Sequence, residues 1–222
     1  MSNGTKVKKR DGRIEPLDLD KMHLMVEEAC QGLAGVSASQ VEMKSGIQFY
    51  DGITTAEIQE ILIKAASDLI DLDHPNYQFV AARLLLFSLR KSLYGKMREL
   101  PDLETHINDC VGKEVYDSDI YTKYSKEEIE KVNSYIDHNR DFLFTYAGLR
   151  QVVDKYLVQD RSAGGVYETP QFMYIMIALT IFREYPKETR LSYVKRYYDA
   201  ISKHRINIPT PIMAGVRTPL RQ

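Results

Sequence analysis
The chain has 222 residues, 44% hydrophobic and 27% charged, so it can build a buried core and does not have the composition of a disordered segment. Lys and Arg number 30 against 31 Asp and Glu, a formal net charge of −1, which removes the overall positive field that draws proteins onto DNA; any anion site must be local. The two cysteines, Cys30 and Cys110, are isolated, which excludes a disulfide framework and a zinc ribbon of paired CxxC motifs and reads as buried, reduced thiols in a cytoplasmic protein.

The first segment, Val7 to Lys21, packs cations, a turn and a helix start together. Asp11-Gly12 predicts a two-residue hairpin turn, with Lys9 and Arg10 before the bend and Ile14 and Glu15 after it. Asp18 is placed to cap a helix by accepting a backbone N–H near Lys21, so cations and a positive helix end share one small volume. This is equipment for holding phosphates. Met1 to Thr5 lack the apolar core of a secretory signal, and no apolar run reaches the roughly 18 residues of a membrane span.

Met22, Met25, Val26, Ala29 and Leu33 predict an amphipathic helix from Leu19 to Leu33, stopped by Gly35. A short helix follows over Ser39 to Lys44, then a turn over Tyr50 to Ile53. Thr54 and Glu57 form a capping box for a helix carrying Ile58, Ile61, Leu62, Ala65 and Leu69. After the break at Asp73-His74-Pro75, Asn76 is placed to cap a helix to Tyr94 that is apolar almost all round and so central to its domain. The best boundary lies at Gly95 to Pro101.

Further helices are predicted over Leu103 to Val111, Ser125 to Ile136 with a second capping box at Ser125 and Glu128, and Ala147 to Lys155. Tyr156 to Val158 and Val166 to Glu168 flank a polar loop and predict a small hairpin. Thr169 as cap and Pro170 at the first helical position introduce an apolar core helix to Phe182. A last amphipathic helix, Lys187 to Ser202, presents Leu191, Val194, Tyr198 and Ile201 on one face. The remainder, with Pro209, Pro211 and Pro219, shows no element to close it and reads as part of a longer protein.

Six motifs in order and spacing carry a resemblance: Lys9-Arg10-Asp11-Gly12, Ile47 to Ile53, Ala81-Ala82-Arg83-Leu84, Tyr156 to Gln159, Glu188 to Leu191, and Pro209-Thr210-Pro211-Ile212-Met213. Over essentially its whole length the chain resembles the N-terminal part of the large (alpha) subunit of bacterial aerobic class I ribonucleotide reductases. The resemblance implies a mainly α fold. Residues 1–95 would form an ATP-cone, a small β-hairpin with a four-helix bundle; residues 96–222 would form a helical domain leading into a catalytic barrel that this chain lacks.

The resemblance also implies site residues. Lys9, Arg10 and Lys91 match phosphate ligands, and Glu15 and Asp18 match the reading of the adenine edge. Leu17, Met22 and Ile58 would line the base, Lys21 and Thr55 would touch ribose or phosphate, and Phe87 would close the pocket. Close relatives often carry Asn where this chain has Asp18 and His where it has Gln59. Aspartate lacks the amide's donor, and Gln59 cannot take up a proton near neutral pH.

The implied effectors are ATP, activating, and dATP, inhibiting, with Mg accompanying the nucleotide; the implied partners are the small (beta) subunit and further alpha subunits. Thr210 matches a position contacting the substrate of the parent enzyme. The family's redox cysteines and radical relay lie later in its sequence, so the chain alone is expected to be catalytically inactive, with no catalytic residue and no metal. From the residues alone, Phe87 reads as core, Lys91 as a side chain snorkelling from an apolar helix, and Lys9-Arg10 as a solvated edge. On that reading the chain is a helical interaction module without nucleotide binding.

Overall fold
The computed structural model describes residues 5–46, 48–160 and 164–221. The signal-peptide reading of the first residues and the Ile47 start of one motif fall largely outside them. Contacts divide the chain into two compact units, Met1–Leu89 with Phe144–Arg150, and Arg90–Leu143 with Gln151–Gln222.

In the first unit, β1 (Lys6–Lys8) is the middle strand of three, in the order β2-β1-β3. It pairs antiparallel with β2 (Ile14–Pro16) and parallel with β3 (Ile53–Thr54). Val7 points inward and is buried between the exposed Lys6 and Lys8, the alternation expected of a strand with one covered face. The hairpin forms, but its loop differs from expectation. Lys9 N–H donates to Arg13 O at 2.8 Å and Gly12 N–H to Lys9 O at 3.0 Å, so Arg10-Asp11-Gly12 is a three-residue loop. Among these only Gly12 has a positive φ, of 87°, whereas a primed two-residue turn needs two such residues. The Tyr50–Ile53 turn is present but runs straight into β3, a two-residue strand too short to show any periodicity.

Four helices complete the unit. α1 (Leu19–Cys30) has Asp18 as N-cap and ends at Gln31, earlier than predicted, because Gly32 (φ 73°) turns the chain and Arg83 Nη1 takes the carbonyls of Ala29 (3.1 Å) and Gln31 (2.7 Å). α2 (Ala38–Gly46) packs on α1 and on α3 (Thr55–Ser67), whose capping box at Thr54 and Glu57 is complete. α4 (Tyr77–Tyr94) supplies the core with Val80, Ala81, Leu84, Leu85, Leu86 and Phe87, as its sequence predicts. Asn76 precedes it and donates its amide to Ala34 O at 2.8 Å. Cys30 is only half-buried, in contrast to the sequence reading; Cys110 is buried.

The second unit contains the end of α4 from Arg90, α5 (Leu103–Gly112), the one-turn α6 (Ile120–Lys123), α7 (Lys126–Asn133), a 3-10 helix (His138–Leu143) and the second half of α8 (Tyr146–Lys155) from Gln151. The hairpin β4 (Gln159–Asp160) and β5 (Gly165–Val166) is shorter and nearer its loop than expected. α9 (Pro170–Phe182) is buried from Pro170 to Leu179 and packs against α10 (Lys187–Ser202). Thr169 is the N-cap of α9 but makes no side-chain cap bond.

On α10, Arg190 rather than Leu191 is the buried residue. Its Nε donates to Glu128 Oε1 at 2.8 Å and its guanidinium lies 4.3 Å over the Tyr124 ring, pairings that a hydrophobic pattern cannot reveal. The terminal segment does carry an element, α11 (Thr210–Gly215), entered through Pro209 as N-cap.

His106 is buried and stacks on Phe172 with ring centroids 4.0 Å apart. Burial pushes both His106 and His138 down to about 4. Both imidazoles are therefore neutral when folded at pH 7, whereas an unfolded histidine takes up its proton near pH 6.5. Between these values the unfolded chain binds more protons. Stability is expected to hold above about pH 6.5 and to fall as pH drops toward 4, which urea unfolding midpoints across that window will measure.

Candidate functional site
Three elements of the first unit meet at one side-chain amide. Arg10, in the hairpin loop, donates from Nη2 to Gln59 Oε1 at 3.3 Å, and Ser88 of α4 donates to the same oxygen at 3.2 Å. Gln59 itself is buried on α3, and its Nε2 has no hydrogen-bond partner among the described residues. A buried donor left unpaired costs about 1–3 kcal/mol, so this amide is poised to accept a partner.

The parallel register Lys8↔Thr54 brings the end of β1, from which Lys9 and Arg10 follow, beside the N-terminus of α3. That end carries a positive dipole, partly answered by Glu57, whose carboxylate accepts from Thr54 Oγ1 (2.7 Å), Thr54 N–H (2.8 Å) and Tyr50 OH (2.9 Å). The Thr54 hydroxyl and N–H, with the Tyr50 hydroxyl, hold the Glu57 carboxyl below its usual range.

The hairpin cations are paired with neighbours. Lys9 Nζ lies 3.3 Å from Glu15 Oε2, Arg13 Nη1 lies 2.9 Å from Glu15 Oε1, and Arg13 Nε lies 2.7 Å from Asp11 Oδ2. The Arg13 N–H and side chain hold the Asp11 carboxyl below its usual range.

The remaining predicted residues lie at the start of α1, on α3 and α4, and on α11. Asp18 caps α1 through Lys21 N–H at 2.9 Å, as the sequence indicates; Asp18 and Lys21 are exposed, and Leu17 and Met22 are half-buried. Thr55 opens α3, and Ile58 and Phe87 are buried, Phe87 to 2% exposure. Lys91 is half-buried on the last turn of α4, one turn beyond Phe87. Thr210 is exposed at the start of α11 in the second unit. Sequence reasoning missed Ser88 and Arg13. Ser88 was visible as the one hydroxyl in the run Leu84 to Leu89, and Arg13 as the cation directly across the hairpin loop from Lys9.

Comparison with known proteins finds two families along the chain. The ATP cone domain family matches residues 5–92, and the family described as "Ribonucleotide reductase, all-alpha domain" matches residues 142–221. The chain is 51% identical over 222 residues to the Escherichia coli (strain K12) "Ribonucleoside-diphosphate reductase 1 subunit alpha", covering 100% of this chain and 29% of that protein. The chain belongs to the ribonucleotide reductase large-subunit family. The subunit alpha of Haemophilus influenzae is 50% identical over 222 residues, and that of Enterobacteria phage T4 43% identical over 216 residues, 96% of this chain and 28% of the phage protein. The chain thus spans under a third of the length of these ribonucleotide reductase relatives and corresponds to their N-terminal part. Among the described residues no helix is long and apolar enough to cross a membrane, and no group of three or more His, Cys, Asp or Glu could hold a metal ion.

Phe87 and Arg10 separate core from surface. Phe87→Ala is expected to cost about 3–5 kcal/mol in a urea melt, the usual penalty for emptying an aromatic site. Arg10→Ala, an exposed cation, is expected to cost no more than about 1 kcal/mol.

Proposed function
We propose that residues 1–95 form the activity-regulating site of a ribonucleoside-diphosphate reductase alpha subunit, with ATP as activator and dATP as inhibitor. Residues 96–222 lead toward the catalytic part of that subunit, which with its beta subunit reduces ribonucleoside diphosphates to deoxyribonucleotides. The observation that carries this reading is the meeting of Arg10, Gln59 and Ser88 beside the α3 N-terminus, within the segment that matches an ATP cone.

In the proposed site Lys9 and Arg10 hold phosphates, and Thr55 and Lys21 reach phosphate or ribose. Glu15 and Asp18 face the adenine edge, Leu17, Met22 and Ile58 line the base, and Gln59 offers its free amide donor. Phe87 closes the floor, and Lys91 is carried over from the family resemblance. Glu15 and Asp18 are engaged with Lys9 and with the α1 cap, so they form no metal cage; Mg enters with the nucleotide's phosphates.

Charge-assisted bonds contribute about 1.5–3 kcal/mol each, so a few suffice for micromolar binding after ordering costs. ATP and dATP differ by one hydroxyl, whose bond gives at most about tenfold discrimination. Opposite effects therefore require that the two nucleotides favour different arrangements of the cone and hence different assemblies of alpha and beta subunits.

Calorimetry of the chain with each nucleotide tests this. Both are expected to bind, and Lys9→Ala is expected to weaken both alike by roughly tenfold. Absence of heat with either nucleotide at millimolar concentration would remove the regulatory reading. The ion network of Lys9, Glu15, Arg13 and Asp11 favours the other reading, a helical interaction module with a merely solvated edge, for which Lys9→Ala changes nothing.

A further inference from the structure
Among the described residues the most deeply buried ion pair lies in the second unit, apart from the proposed nucleotide site. Glu168 and Arg217 are both fully buried. Arg217 Nε donates to Glu168 Oε1 and Oε2 at 3.1 and 3.0 Å, and its Nη2 donates to Oε1 as well. The same guanidinium reaches Met213 O through Nη1 at 2.6 Å and Tyr156 O through Nη2 at 2.8 Å. Glu168 accepts in addition from Val158 N–H at 2.6 Å and from the Tyr116 hydroxyl, which lies 3.0 Å from His106 Nε2. The chain beside Arg217 is tied down too. Asp117 N–H donates to Arg217 O at 3.0 Å, and Arg221 pairs with Asp117 Oδ2 at 2.5 Å and Asp119 Oδ2 at 2.6 Å.

Such a pair is a poor source of stability, since apolar side chains of similar volume commonly do as well once desolvation is counted. What it supplies is one geometry. The guanidinium presents its donors in a rigid plane, and they are divided among the Glu168 carboxylate and the carbonyls of Met213 and Tyr156. One of those acceptors is a carbonyl of α11, a helix of six residues without a side-chain cap, too short to hold its shape unaided. Thr210 stands exposed at its start, three residues before Met213.

We propose that Glu168 and Arg217 are positioning residues that fix α11 so that Thr210 meets the ribonucleoside diphosphate substrate. This rests on the reading above, in which the chain is the N-terminal part of a reductase alpha subunit, and on the match of Thr210 to a substrate-contacting position that the family resemblance implies. Tyr116 is the second support, orienting the Glu168 carboxylate through its hydroxyl.

The test uses the full-length alpha subunit with its beta subunit, and the variants Glu168→Gln and Tyr116→Phe. Glu168→Gln is expected to raise KM for the ribonucleoside diphosphate roughly tenfold, with a smaller change in kcat, and Tyr116→Phe to raise it less. ATP binding by the first unit is expected to stay at its wild-type value in both. Hydrogen exchange at residues 210–217 is expected to speed up in the same order. If Glu168→Gln does not fold, Tyr116→Phe decides, because it leaves the ion pair intact. Variants with wild-type KM, or with unchanged exchange at residues 210–217, overturn the proposal. A wild-type subunit that reduces no nucleoside diphosphate overturns the reductase reading with it, which is distinct from a working enzyme whose variants match it.

Discussion
The first unit depends on a strand of three residues that is paired on both edges. Because β1 bonds to β2 on one side and β3 on the other, it cannot slide without breaking two ladders and turning Val7 out of the core. Its last residue is thereby locked to Thr54, which caps α3, so the cation-bearing loop and the helix start are held in register by backbone alone. Side chains then refine the arrangement. Arg10 reaches the buried amide of Gln59, and α4 answers from the other side through Ser88.

The electrostatics of this corner are those of a loaded but balanced site. Lys9 and Arg13 share Glu15, and Glu57 sits over the α3 donors, so the proposed nucleotide would have to exchange partners here rather than meet bare charge. These pairs are exposed and screened by solvent, and a multiply charged anion can outcompete them. The unpaired Gln59 donor differs in kind, because it is buried and cannot be answered by a passing water as readily.

Much of this was legible in the sequence. α1, α3 and α10 declare themselves through apolar spacing, α4 and α9 through nearly unbroken apolar runs, and the boxes at Thr54 and Ser125 mark two helix starts to the residue. What escaped was short or long-range. β3 is two residues long, and α6 and α11 are one or two turns, below the length at which periodicity carries information. The Glu168–Arg217 and Glu128–Arg190 pairs join residues 49 and 62 positions apart, and nothing local in the chain announces such a partner. The candidate site lay in between: Lys9, Arg10 and Asp18 were visible from charge and turn chemistry, whereas Leu17, Met22 and Phe87 acquire a meaning only through the family resemblance.

Glu128 serves two masters. The carboxylate that closes the N-terminal box of α7 by accepting Ser125 N–H at 2.9 Å also receives the Arg190 guanidinium from α10. An eight-residue helix is far too short to persist alone, so α7 depends on what packs against it: α5 and, through Glu128, α10. Glu128 thus ties the first turn of α7 to α10, so a change at Arg190 reaches a helix start some 60 residues earlier in the chain.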